Sequence, residues 1–107
     1  MHFTGDKKDR RMKPVIICVG EPARAVVYGH IDSDHMPDAG EKVRIKNARM
    51  VLRWDAECGG LFGLAANGPA GDTRITASVQ EVACVVGQSL SVTESAAKKI
   101  DAWEPWK

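Results

Sequence analysis

Hydrophobic and polar positions along most of this chain fall into short alternating runs. Near the C-terminus they switch to a helical period. Pro14 opens an apolar run over residues 15–19, and Gly20-Glu21-Pro22 follows as a turn signal. Residues 24–31 are rich in β-branched and aromatic side chains and read as a second strand. Gly29 inside that strand predicts a bulge or a close backbone approach. Residues 32–41 form a polar loop with Pro37 and Gly40. Val43 and Ile45 then alternate with Lys42, Arg44 and Lys46, after which the phase slips: Ala48, Met50 and Leu52 continue the apolar set at the opposite parity. Because side chains on a strand repeat every two residues, the slip places a bulge, or a tight turn between two strands, at Lys46-Asn47. A helix over 42–54 is the alternative.

Residues 55–60 read as a loop and 61–66 as a compact apolar stretch. Asn67-Gly68-Pro69 and Gly71-Asp72 are breakers. Residues 74–79 alternate as a half-buried strand, and 81–87 form another. Thr93 suits an N-cap, with Glu94 in the first turn. Ala96, Ala97, Ile100 and Trp103 share one helical face, and Pro105 stops the helix. The pattern predicts a mainly β, β-dominated α+β domain. It would be a small antiparallel barrel or curved meander of six or seven short strands, with one C-terminal helix over about 93–103.

A length of 107 residues allows one domain, and 44% apolar with 27% charged residues is an ordinary globular composition. The net charge of +1 conceals an asymmetry. Residues 1–13 hold five basic and two acidic side chains; the remainder is slightly acidic. Residues 1–12 therefore read as a basic arm without apolar periodicity, and 13–107 as the single globular domain. The arm is either a solvated tail or a contact for phosphates. No stretch approaches the roughly 20 apolar residues of a membrane span, and the 15–19 run is too short for a signal-peptide core. The three cysteines, Cys18, Cys58 and Cys84, form no Cys-x-x-Cys pair. A bacterial cytoplasmic location is the expectation.

Few residues suggest chemistry. His30, His35 and Cys58 lack the paired close ligands of a structural zinc site, so no metal is expected. Cys58 before Gly59-Gly60 can be a nucleophile only with a lowered pKa and an orienting base; otherwise it is a turn-adjacent cysteine. Gly59-Gly60-Leu61-Phe62-Gly63 lacks phosphate-loop spacing. Asp32, Asp34 and Asp38 lack calcium-loop spacing. Neither a cofactor nor catalytic residues follow from the sequence. The candidate binding residues are Lys42, Arg44, Lys46, Arg49 and Arg53, five cations within twelve residues with Trp54 beside them. Such a stripe suits phosphates or an acidic protein surface, or is a solvated strand face. Trp106, beyond Pro105, is either a clasp packed back on the sheet or an interface anchor.

Several segments in order carry a resemblance. They are residues 24–29 (RAVVYG), residues 43–50 (VRIKNARM) followed by Trp54, residues 63–69 (GLAANGP), and the ending with Ala97, Trp103 and Trp106. Over about residues 24–106 the chain resembles small proteins of tailed phages and prophages that carry a domain of unknown function. The resemblance implies a phage accessory protein and transfers no catalytic residues. The expected function is a non-enzymatic binding protein acting on a host or phage macromolecule. One alternative is a nucleic-acid-binding module using the arm and the cationic stripe. Another is a homo-oligomer that binds a small ligand between subunits.

Overall fold

Three residues in succession on the first strand, Val15, Ile16 and Ile17, are completely buried, so this strand has apolar packing on both faces. The computed structural model describes residues 12–20 and 24–107, and it explains that double burial. The described residues form five strands: β1 (Met12–Val19), β2 (Val26–Asp32), β3 (Lys42–Arg53), β4 (Arg74–Ile75) and β5 (Val79–Ser91). Antiparallel pairing runs β2-β1-β5-β3, and β2 also pairs with β3, so these four strands close into a small barrel; β4 is an extra strand on the far end of β3. Two helices, α1 (Gly60–Asn67) and α2 (Glu94–Ala102), pack on the outside. Val15, Ile17, Val27, Ile31, Ile45, Ala48 and Val86 fill the barrel. Ile16, Tyr28 and Val51 point outward and meet Leu64, Ala65, Ala96, Ala97 and Ile100 of the helices.

The β-dominated barrel with a C-terminal helix agrees with the sequence pattern, but the described residues form five strands rather than six or seven short ones, and two further details differ. Of the two readings of the slip, the bulge is the one seen: residues 42–53 are one strand that runs through Lys46-Asn47. Asn47 takes a left-handed backbone there (φ 51°), which an Asn side chain tolerates better than most. The 74–79 strand ends at Ile75, and Val79 belongs to β5 instead. Finally, residues 60–67 coil into α1. The expectation at Gly29 is met. A Cβ there would lie 2.8 Å from the Lys46 carbonyl oxygen, where β2 crosses the bulge and its register against β3 shifts. Thr93 caps α2 as expected, its hydroxyl accepting from the Ala96 amide at 3.1 Å.

The proposed arm, apart from Met12 at the start of β1, lies outside the described residues. Among the described residues no helix is long and apolar enough to cross a membrane.

Candidate functional site: an open apolar mouth

The bulge at Asn47 decides where each later side chain of β3 goes. Before it, Val43 and Ile45 face the barrel and the cations face out. After it the parity reverses, so Ala48, Met50 and Leu52 are on the barrel side and Arg49 and Val51 on the helix side. The five sequence-stripe cations are therefore not one surface. Arg49 is only 6% exposed. Its Nε donates to the Thr76 carbonyl at 2.6 Å, and its Nη2 to the Trp103 carbonyl at 2.9 Å. Its Nη1 donates to the Ile100 carbonyl. The last two acceptors are at the C-terminal end of α2, where orphan carbonyls and the helix dipole favour a cation. Burial works against this charge, and Asp101 offsets it. The Tyr28 hydroxyl donates to Asp101 at 2.9 Å, and burial followed by that bond pushes its pKa well above the usual tyrosine range. Arg49 thus ties β3, β4 and α2 together, and its contacts are with the protein's own backbone.

Lys42, Arg44 and Lys46 do share one exposed face. Two of them converge on one carboxylate: Arg44 Nη1 is 2.7 Å from Glu81 Oε2 and Lys46 Nζ is 3.3 Å from Glu81 Oε1. Hydrogen bonds from Arg44 and then Lys46 hold the Glu81 carboxyl below the usual range. Arg53 sits eleven residues along from Lys42, about 36 Å at strand rise. It pairs with Asp72 at 3.4 Å, a carboxylate it shares with Arg74.

The other end of β3 is different in kind. β3 and β5 pair as far as Ala48 and Val79, after which β3 turns to β4. The barrel is left open there. Apolar side chains that would have been core in a longer barrel line its mouth: Met50 is 43% exposed, Leu52 45%, Trp54 37% and Val79 52%. A cavity of about 430 Å³ opens between Val19, Ala25, Met50, Val79, Val82 and Cys84. A second hollow of about 490 Å³ continues from Val19, Ala25 and Met50 to Leu52 and Trp54. Burial raises the pKa of both thiols at this end, Cys18 and Cys84, which disfavours thiolate chemistry. The mouth can take up an apolar side chain or chain segment. Sequence reasoning placed Met50 and Leu52 in the apolar set at the opposite parity; the signal that could have found them was that slip, followed by a stretch of β3 that runs on past its last pair with β5 at Ala48.

The remaining candidates are dispersed. Cys58 is buried, with its Sγ 3.1 Å from Thr73 Oγ1 and 3.7 Å from the Ala70 carbonyl. His30 packs edge-on to Tyr28, and His35 lies in the 33–41 loop against Asp34 and Glu41. The carboxylates and histidines of the described residues form no cluster of three with each other or with the thiols. The half-exposed Trp106 donates its backbone N–H to the Ile75 carbonyl at 2.9 Å, and the Arg74 guanidinium stacks on its ring at 5.3 Å. Trp103 Nε1 donates to the Thr73 carbonyl at 2.9 Å, so the C-terminal tail runs along β4.

Comparison with curated proteins and with solved structures gave no match. A family model, Domain of unknown function (DUF6948), matches residues 12–100, which takes in the whole barrel, both halves of β3 and nearly all of α2. The chain belongs to the DUF6948 family.

Proposed function

We propose that this chain is a non-enzymatic binding protein that engages a host or phage protein through the open mouth of the barrel. In this reading it is an accessory protein of a tailed phage or prophage, acting in the bacterial cytoplasm without a cofactor. The phage origin is supported by the similarity of the 24–29, 43–50 and 63–69 segments to such proteins. One observation carries the choice of surface. Met50, Leu52, Trp54 and Val79 are exposed around two adjoining hollows that share Met50, whereas most other large apolar side chains among the described residues are buried. Contiguous apolar exposure of this kind marks an interaction surface, and an aromatic rim beside a pocket suits a buried anchor residue.

The charged half of β3 supports nucleic-acid binding less well. Arg49 is withdrawn into the fold, Glu81 neutralises part of the Arg44/Lys46 pair, and Asp72 faces Arg53. A phosphate-binding surface gains from unopposed cations.

The test is capture from host lysate, with the tag on the N-terminus, with and without nuclease, comparing the wild type with Met50→Glu/Leu52→Glu. A stoichiometric protein that survives nuclease and is lost in the double variant is the expected result. Capture that vanishes with nuclease, or that survives in the double variant, overturns the assignment of the mouth. A small molecule released from the denatured protein, with no protein captured, would favour a ligand-binding role instead.

A further inference from the structure

β5 is paired on one edge along its first half and on the other edge along its second half. Residues from Val79 to Val85 face β3, and residues from Val86 to Ser91 face β1. β1 ends at Val19, opposite Val86. The Val86 amide donates to the Glu41 carbonyl and the Val86 carbonyl accepts from the Gly40 amide, so Val86 directs its polar groups to the β3 side. In an antiparallel ladder that direction alternates residue by residue. Val85 accordingly points the other way, and its carbonyl accepts from the Gly20 amide. By the same alternation, Ala83 and Glu81 direct their N–H and C=O groups away from β3, beyond the end of β1. No described residue pairs with them there.

Such an edge is a template for another strand unless something blunts it, usually a Lys, a Pro, a bulge or a covering loop. Residues 79–85 (VQEVACV) contain neither Lys nor Pro, and their pairing with β3 has no register shift. The only charge, Glu81, is drawn to Arg44 and Lys46 on the outer face. Val79 and Val85, at the two ends of the segment, are both exposed apolar side chains.

We propose that β5 pairs through this edge, antiparallel and two-fold, with β5 of a second copy of the chain, so that the two barrels share a continuous sheet. The charges favour a second copy over an unrelated strand. The patch holds both signs, two cations around one carboxylate, whereas a uniformly acidic or basic segment would meet opposition from one of them. With the axis at Glu81, Val79 of each copy lies opposite Ala83 of the other. The two opposed carboxylates each keep two cations beside them, which offsets the cost of like charges across the ladder. A two-fold arrangement also satisfies the same deficit on both copies at once. The edge borders the same mouth, since Val79, Val82 and Ala83 also line its cavity, but the pairing is made by the β5 backbone and does not depend on the Met50/Leu52 side of the rim, so the two assignments can fail separately.

Light scattering across a concentration series, together with amide exchange, tests it. The mass should rise from 11.6 kDa toward twice that value, and the Glu81 and Ala83 amides should exchange more slowly as concentration rises. Ala83→Pro removes an N–H that the intramolecular ladder does not use, and it should stay monomeric with an unchanged circular dichroism spectrum. Ala83→Lys, which keeps the backbone donor and adds an edge charge, should weaken association at least tenfold. Met50→Glu/Leu52→Glu should dimerise like the wild type. A constant 11.6 kDa mass up to millimolar concentration would overturn the proposal. So would a dimer that persists in a folded Ala83→Pro, or edge amides protected only when a foreign peptide is added.

Discussion

The two halves of β3 are built from the same kind of alternating sequence and end in opposite situations. From Lys42 to Lys46 the strand lies between β5 and, at Lys46, β2, with Ile45 inside a closed barrel and the cations outside, two of them answered by Glu81. From Ala48 to Arg53 the apolar set has crossed to the other parity, β5 stops pairing at Ala48 and β2 at Met50, only the short β4 continues alongside, and Met50 and Leu52 face open hollows. One left-handed residue, Asn47, separates the halves. Apolar alternation thus shows which face of a strand is shared, while the length of neighbouring strands decides whether that face is covered. The stretch of β3 beyond the start of β5 turns core-type residues into a surface, and the same reversal carries a cation, Arg49, into the interior.

Breaking that interior contact should have the largest effect. Arg49→Ala leaves the carbonyls of Thr76, Ile100 and Trp103 without their donor. Several charge-assisted bonds at about 1.5–3 kcal/mol each imply a loss of about 3 kcal/mol or more, read from urea unfolding, with α2 the first element to lose amide protection. Arg49→Lys, which keeps the charge but not the fork of donors, should recover only part of it. An unchanged midpoint for Arg49→Ala would separate the reversal from the stability of the fold.

Gly29→Ala comes next. The new methyl meets the Lys46 carbonyl and the Ile45 side chain where β2 crosses the bulge, and overpacking there should cost about 1–3 kcal/mol. Asn47→Val forces a β-branched residue into the left-handed region and should cost about 1–2 kcal/mol, whereas Asn47→Gly should be close to neutral. If Asn47→Val were as stable as the wild type, the bulge would not depend on that backbone conformation.

The smallest effect belongs to the charged half. Glu81→Gln removes an exposed carboxylate, so the stability change should be slight and should shrink further in salt. Its sign with pH is fixed. The folded pKa of Glu81 lies below its ordinary 4.5, so its contribution is present above that value and is lost as pH falls through the folded pKa. Acid melting curves of the wild type and Glu81→Gln should therefore converge as pH drops below about 4.5.

Much of this contrast is visible in the sequence, and the part that is not has a physical cause. The first two strands, the slip at Lys46-Asn47, the tight approach at Gly29, the Thr93 cap and the stop at Pro105 all follow from local rules. The helix α1 does not. Its segment contains Gly60 and Gly63, poor helix formers, and Gly63 is needed because a Cβ would collide with the Cys58 carbonyl, a contact set by the turn before it. Arg49 reads as a surface cation because its carbonyl acceptors are some 25 to 55 residues away along the chain. Trp106 leaves two readings open in sequence; the hydrogen bond from its backbone N–H to the Ile75 carbonyl and the Arg74 stack favour the clasp. The binding surface itself is the least legible, because exposure of Met50 and Leu52 depends on where β5 and β2 stop pairing with β3.

Hydroxyl-radical footprinting of the free and partner-bound protein addresses the central contrast most directly. In the free protein Met50, Leu52 and Trp54 should label readily. On binding they should be protected, while the labelling of Lys42, Arg44 and Lys46 should stay unchanged. Protection confined to the Lys42, Arg44 and Lys46 face, with the mouth still labelled, would contradict the account.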